Sequence, residues 1–348
     1  EQLDLPGLVK LNTNENPYGP APEVLAAIGQ FGHAGLAGRG HGEALRLYPD
    51  PQSLVLRQAI ASHHGVKPEQ VFVGNGSDEV LAHAFQAFFR RGSPLLMPDV
   101  SYSFYPVYGQ LYGIPCEAVP LRPDFSVDVQ AYARPDGACA GVVIANPNAP
   151  TGIALPLDQI EALLRLHPNR VVLVDEAYVD FGAQSAVSLL DRHPNLLVVQ
   201  TLSKSRGLAG LRVGYAMGSP ELIDALARIK GCFNSYPLDR LAQAGAVASF
   251  AAQDYFTQTC AHVMQSRDRL IKGLAGLGFE VLPSAANFVF ARHAHRDAAA
   301  MAQALKAQAI LVRHFPLPRI EQFLRITVGM DAQCDRLLAV LGSLLASE

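Results

Sequence analysis

Three segments carry side chains whose types and spacing suit chemistry on an anionic ligand. In Val71-Phe-Val-Gly-Asn-Gly-Ser-Asp-Glu79 an apolar run enters a glycine-containing turn that opens a helix. The free backbone amides of Gly76, Ser77 and Asp78, with the Ser77 hydroxyl, favour an anion there, although a capped turn with nothing bound has the same sequence. Position 79 is Glu, so the dinucleotide fingerprint G-x-G-x-x-G is not completed. In Val171-Val-Leu-Val-Asp-Glu-Ala-Tyr178, Asp175 stands where an apolar strand ends. An acid buried at that point needs a cationic partner; at the start of an exposed loop it is an ordinary surface carboxylate. The magnesium-binding strand of P-loop nucleotidases ends in the same way, but no G-x-x-x-x-G-K-[ST] string is present. In the third segment, Thr201-Leu-Ser-Lys-Ser-Arg-Gly-Leu-Ala-Gly-Leu-Arg-Val-Gly214, small hydroxyl residues flank Lys204, and Arg212 follows amid glycines that let backbone approach closely. A lysine partly desolvated in such a loop is nucleophilic near neutral pH; in a solvated loop it is only a surface charge.

The elements around these segments bring them together. Val71–Val73, Leu95–Met97, Gly141–Ala145, Val171–Val174, Leu196–Val199 and Val213–Met217 read as short strands covered on both faces. Between the first two, residues 78–90 place Leu81, Phe85, Phe88 and Phe89 on one helical face, with Arg90 and Arg91 at its C-terminal end and Gly92 as the stop. Alternation of this kind predicts a doubly wound α/β domain, whose ligands sit at the carboxyl edge of the sheet. On that edge the three segments meet. A lysine for an aldehyde, an acid for a ring nitrogen, and a helix start plus an arginine for a phosphate together suit pyridoxal 5′-phosphate. From about residue 253 the order is less regular. A long helix near 254–277, strands at Asn287–Phe290 and Leu324–Val328, and a final helix with Cys334, Leu338, Leu341 and Leu345 on one stripe predict a smaller α+β domain.

Composition narrows the class. With 49% apolar and 17% charged residues among 348, the chain is expected to fold around a sizeable core. A net charge of -3 with no run of like charges argues against nucleic acid as a partner. No apolar run reaches the ~18 residues a membrane helix needs, and the first residues show no basic-then-apolar leader, so a cytoplasmic location is expected. Cys116, Cys139, Cys232, Cys260 and Cys334 are dispersed, which suits reduced thiols. His63-His64 and His293-x-His295 do not make an H-E-x-x-H site, and no metal is expected. The glycine-rich stretch Gly32–Gly42 is read as a flexible surface connection rather than a phosphate loop, since no strand leads into it.

Along nearly its whole length the sequence resembles the fold-type-I pyridoxal-phosphate aminotransferases and, within them, is similar to the histidinol-phosphate aminotransferase family. The resemblance is carried, in the family's order, by Lys10-Leu-Asn-Thr-Asn-Glu-Asn-Pro-Tyr-Gly-Pro20, Leu47-Tyr-Pro-Asp50, Gly74-Asn-Gly-Ser-Asp-Glu79, Asn146-Pro-Asn-Ala-Pro-Thr-Gly152, Asp175-Glu-Ala-Tyr178, Thr201-Leu-Ser-Lys204 and Leu324-Arg-Ile-Thr-Val-Gly329. It implies a large, mainly parallel sheet of the seven-stranded type with a smaller α+β domain. Residues 1–46 would form an arm reaching the small domain and a dimer interface, 47–252 the cofactor domain, and 253–348 the small domain.

The resemblance also implies roles. Lys204 would join the cofactor's aldehyde and shuttle a proton, Asp175 would pair with the ring nitrogen, and Tyr178 would donate to the phenolic oxygen. Tyr102 would stack on the ring, although it also reads as a core aromatic among Phe104, Tyr105 and Tyr108. Gly76, Ser77, Asp78, Thr201, Ser203 and Arg212 would hold the phosphate, helped by Tyr48 of a neighbouring subunit in a homodimer with shared active sites. The family's Asn-Pro-Thr-Gly has Ala149 before Pro150 here, so either Asn148 takes over one position earlier, the favoured expectation, or Tyr178 acts alone, with Pro150 a candidate cis-proline. Arg325 and Arg313 would bind the substrate phosphate and the carboxylates of 2-oxoglutarate, since the planar guanidinium pairs with both. Asn14, Glu15 and Asn287 are candidate substrate contacts. The implied reaction is transamination of L-histidinol phosphate; an aromatic amino acid aminotransferase, a decarboxylase of a phosphorylated amino acid and a non-catalytic cofactor-binding module are the competing readings.

Overall fold

The computed structural model describes residues 7–32 and 41–346. Its centre is a sheet of seven strands, in the spatial order Val71–Asn75, Val213–Gly218, Leu196–Thr201, Val172–Asp175, Gly141–Ala145, Leu95–Pro98 and Cys116–Val119. Only Val213–Gly218 runs antiparallel to its neighbours; the other adjacent pairs are parallel.

Alternate residues of each strand feed two separate cores, as the two-residue period of a strand requires. Val172, Val174, Leu196 and Val198 pack on one face with the helices Pro22–Gly29, Leu54–His64, Leu157–Leu166 and Arg240–Ala251. Leu173, Leu197, Val199 and Ala216 pack on the other with Gly76–Phe88, Phe104–Tyr112 and Pro220–Phe233. Being covered on both sides is why these strands read as unbroken apolar runs. The doubly wound, mainly parallel sheet expected from the sequence is the fold observed.

The second sheet is antiparallel, in the order Arg313–His314, Leu324–Thr327, Phe288–His293 and Phe279–Val281. It packs with the helices Gln253–Gly276, Ala298–Ala307 and Asp331–Ala346 around a third core, which Val9 and Leu11 join. Val9–Lys10 pairs in parallel with Ile310–Leu311, so the start of the described chain belongs with its end. A fourth apolar cluster, with Val100, Leu121 and Phe125 against Phe290, Ile320 and Phe323, joins the two sheets' surroundings.

Local departures from expectation have simple causes. The first long helix begins at Gly76 rather than 78 and ends at Phe88, with Leu81, Phe85, Phe88 and Phe89 all buried as expected. In the last helix the buried stripe is Cys334, Leu337 and Leu341, and Leu338 only flanks it. Cys116–Val119 was not foreseen because an edge strand with a half-exposed Cys-Glu-Ala-Val pattern lacks an apolar run. All five cysteines are free, and no helix among the described residues is long and apolar enough to cross a membrane. Most of Gly32–Gly42 lies outside the described residues.

Candidate active site

Parallel strands end on one edge, and here Asn75, Ala145, Asp175 and Thr201 end together. The antiparallel strand begins there at Val213, which brings Arg212 to the same place. A cleft of about 590 Å³ opens at this edge, lined by Ser77, Asp78, Tyr102, Ala149, Asp175, Tyr178, Thr201, Ser203, Lys204 and Arg212, with Ala145 and Ala177.

One end of the cleft is built for an anion. The helix Gly76–Phe88 has no side chain capping its start, so its first amides are available. Gly76 takes a φ of +78°, and a Cβ there would lie 2.5 Å from Arg212 Nη2. Arg212 also has a left-handed backbone, at φ 53°, which turns it back into the cleft. Its Nη2 donates to Asp78 Oδ2 at 3.1 Å and its Nη1 to Ser203 Oγ at 3.4 Å. Thr201 Oγ1 donates to Ser203 Oγ at 3.0 Å and accepts from the Ser203 amide at 3.1 Å. The Tyr102 hydroxyl donates to Asp78 Oδ1 at 3.0 Å, fixing that ring beside the helix start. Burial and the adjacent Asp78 raise the Tyr102 pKa, so it stays a donor.

The middle of the cleft holds a buried acid. Asp175 is 5% exposed. Its Oδ2 accepts from the Tyr105 hydroxyl at 2.9 Å and its Oδ1 from the Ala177 amide at 3.3 Å. Burial pushes its pKa up to about 6; those two hydrogen bonds and Lys204 work against that rise, and Asp78 adds to it. A carboxylate so placed gains most by pairing with a cation inside the cleft.

Lys204 brings an amine to the cleft. Its Nζ lies 5.8 Å from the Tyr178 ring centroid and donates a long hydrogen bond of 3.4 Å to the Thr13 carbonyl. Asn16 Nδ2 donates to the Lys204 and Ser205 carbonyls, both at 2.9 Å, and so clamps the lysine's backbone. The Tyr178 hydroxyl accepts from Asn14 Nδ2 at 2.9 Å, which leaves its own proton free to donate into the cleft.

A second cleft adjoins the first through Tyr102 and Ala149 and carries Arg313 and Arg325 on its wall, with Asn12, Phe104, Phe315 and Leu317. Arg325 Nη2 donates to the Asn12 carbonyl at 2.9 Å, while its buried Nε has no partner among the described residues. Burial holds its pKa below the usual guanidinium value, and nearby Arg313 pushes the same way. Its guanidinium lies 5.5 Å from the Phe288 ring and 5.3 Å from the Phe315 ring, and Arg313 lies 5.4 Å from Phe315. Two cations on one wall, with no carboxylate paired to either among the described residues, suit a dianion.

The remaining expected residues fall differently. Asn14 is buried at φ 56°; its amide donates to Thr327 Oγ1 and its carbonyl accepts from Asn287 Nδ2, so both asparagines brace the floor. Asn287 Oδ1 is buried with no hydrogen-bond partner among the described residues. Glu15 is exposed and paired with Lys10 at 2.8 Å, and it lines neither cleft. Asn148 braces its own loop and is not among the cleft's lining residues. Its Nδ2 donates to the Val100 carbonyl and Thr151 Oγ1, its Oδ1 accepts from Ser101, and Ala149 faces the cleft instead. The Ala149–Pro150 bond is cis, as is Asn146–Pro147. Tyr48 is exposed, outside both clefts, with its ring stacked on Tyr236 at 4.6 Å. Tyr105 and Asn16 were missed. Tyr105 had a signal in its place one helical turn after Tyr102, while Asn16 had none beyond preceding a proline.

The sequence profile described as aminotransferase class I and II matches residues 6–341. The chain belongs to that aminotransferase family. Among curated relatives of the aminotransferase, histidinol-phosphate aminotransferase 1 of Bordetella parapertussis is 58% identical over 100% of this chain and 95% of its own. Histidinol-phosphate aminotransferase 1 of Methylococcus capsulatus is 59% identical over 100% and 94%. Among solved structures, histidinol-phosphate aminotransferase from Sinorhizobium meliloti in complex with pyridoxal-5′-phosphate is 28% identical. It superposes with a TM-score of 0.86 over 98% of this chain and 91% of that one.

Proposed function

We propose that this aminotransferase exchanges the amino group of L-histidinol phosphate with 2-oxoglutarate, giving imidazole acetol phosphate and L-glutamate in histidine biosynthesis, with pyridoxal 5′-phosphate as cofactor. The observation that carries the reading is the pairing of an amine-and-acid cleft with an adjoining cleft that bears two arginines with no carboxylate partner among the described residues. Near-full-length identity of 58–59% to histidinol-phosphate aminotransferases supports the substrate.

The donor set fits the cofactor. The uncapped helix start, Ser77, Thr201, Ser203 and Arg212 match a phosphate; the buried Asp175 lacks the cation a pyridinium supplies; and Lys204 is the amine for an aldehyde. Bound there, pyridoxal phosphate supplies an electron sink and a carrier for the amino group. Lys204 Nζ is the amine that would hold the aldehyde, and it stands as the base that would take the proton from the substrate carbon that bears nitrogen. Asp175 would favour a positive charge on the ring nitrogen, the electrostatic part of the rate enhancement. Tyr178, oriented by Asn14, would donate its hydroxyl proton to the phenolic oxygen. Tyr102, tethered to Asp78, would lie against the ring. Arg313 and Arg325 hold the phosphate of one substrate and a carboxylate of the other, so that the same wall serves both halves of the reaction.

A homodimer with shared sites is part of the proposal. Tyr48, Leu47, Phe233 and Tyr236 are exposed apolar side chains gathered on one surface, which a second copy would cover. The five free cysteines support a cytoplasmic location. A division into an arm to residue 46, a cofactor domain over 47–252 and a small domain over 253–348 is supported by the separate cores of the last two, the arm adding Val9 and Leu11 to the small-domain core and Ala21 and Val24 to the large one.

The direct test is glutamate release from histidinol phosphate and 2-oxoglutarate. Cofactor binding without glutamate would overturn the proposal. Preference for phenylalanine would point to an aromatic aminotransferase, and carbon dioxide release without a keto acid would point to a decarboxylase.

A further inference from the structure

We infer that Tyr105 is a positioning residue for Asp175: its buried phenol fixes one carboxylate oxygen and so sets both the orientation and the charge of the group that faces the cofactor ring. The inference rests on the proposed pairing of Asp175 with the ring nitrogen.

Tyr105 is completely buried at the start of the helix Phe104–Tyr112. Its hydroxyl is 2.9 Å from Asp175 Oδ2, the only side-chain donor to that carboxylate among the described residues. The other oxygen receives a longer bond, 3.3 Å, from the Ala177 amide. The ring is held without reference to the acid: it stacks on Phe85 at 6.2 Å, meets Tyr102 edge-on at 5.5 Å, and its amide donates to the Tyr102 carbonyl at 3.2 Å. The phenol is therefore delivered to Asp175 by packing, and the carboxylate adapts to it.

The charges around Asp175 make that bond consequential. Asp78, from the helix after strand Val71–Asn75, opposes its ionisation, and Lys204, from beyond strand Leu196–Thr201, favours it. Tyr102, Tyr105 and Tyr108 face it from the third side. Burial is the largest influence against the charged form, and the Tyr105 bond is the strongest influence for it. Burial and the neighbouring Asp175 raise the phenol's own pKa far above the usual value, so tyrosine remains a proton donor throughout the working range. A donor to the charged form is what a buried carboxylate needs in order to stabilise a cation beside it.

Tyr105→Phe keeps the packed ring and removes only the donor. The holoenzyme is reconstituted with pyridoxal phosphate labelled with ¹⁵N in the ring, and its ¹⁵N resonance is followed with pH alongside kcat and KM. Tyr105→Phe is expected to move the ring-nitrogen titration at least about one pH unit lower and to lower kcat about 10- to 100-fold, with both KM values unchanged. A ring-nitrogen titration identical to that of the unaltered enzyme would overturn the inference. Asp175→Asn distinguishes the two levels of the argument. If it shifts the titration and Tyr105→Phe does not, the role of Tyr105 alone is wrong; if Asp175→Asn is also silent, the pairing beneath it is wrong.

Discussion

Gly214 makes the anion end of the cleft possible, and Gly214→Ala tests how. This residue lies between Gly74 and Thr201 in the antiparallel part of the sheet, directly under the start of the helix Gly76–Phe88. An added Cβ would stand 2.2 Å from the Ser77 amide nitrogen, 2.4 Å from the Gly76 carbonyl carbon and 2.7 Å from Ser77 Cα. All three are backbone atoms, so no rotamer change relieves the clash, and the helix start must retreat by about 1 Å to reach ordinary contact. Overpacking of this kind costs about 1–3 kcal/mol in stability. The larger effect falls on binding, because the amides that would hold the phosphate move with the helix. Losing one charge-assisted hydrogen bond is worth about 1.5–3 kcal/mol, which corresponds to a Kd for pyridoxal phosphate about 10- to 100-fold higher. Titrating the apoprotein with cofactor by absorbance, beside a thermal melt, measures both quantities. Gly210→Ala is the control, since nothing lies within 4 Å of a Cβ there. Equal cofactor affinity and melting temperature for Gly214→Ala and Gly210→Ala would refute the reasoning that this close approach shapes the site.

Two further outcomes are expected. Arg325→Leu and Arg313→Leu should each raise KM for histidinol phosphate about tenfold or more while leaving the spectrum of the bound cofactor intact; a change in the spectrum with KM unaltered would contradict the assignment of that wall to substrate. Glu176 is 1% exposed, and burial pushes its pKa up to about 7 against the hydrogen bonds from Ser185, the Ala186 amide and Gln200. A folded-state pKa above the unfolded value gives stability that is complete below about pH 4.5 and is lost as pH rises through about 7. Glu176→Gln should therefore flatten the fall in melting temperature between pH 5 and pH 8, and an unchanged slope would contradict the burial argument.

What the sequence disclosed follows from which forces leave a trace in it. Six of the seven strands of the large sheet were legible because burial on both faces demands consecutive apolar residues, and their ends then located Asp175 and Thr201 within a residue or two. The joint placement of Ser77, Asp175 and Lys204 followed from strands that end on one edge, and Arg212 joins them because the antiparallel strand starts there. Contacts set by tertiary packing left less trace. The turn of Asn148 away from the cleft depends on Ser101, Val100 and Thr151, which reach it from distant loops and from within its own turn. The Tyr105 bond to Asp175 spans 70 positions, and nothing local marks Tyr105 out from the aromatics crowded beside it. Asn16 acts on backbone carbonyls 188 and 189 positions away, an interaction that needs no particular residue type at its far end. The strands Arg313–His314 and Val9–Lys10 are two residues long, too short for any period to register.

The central claim is that the amine of Lys204 carries the cofactor. Borohydride reduction of the holoenzyme, proteolysis and mass spectrometry of the peptides test it directly. The account predicts a pyridoxyl group on Lys204, and loss of that label together with turnover in a folded Lys204→Ala variant; a label on any other lysine, or none in a protein that still transaminates, would contradict it.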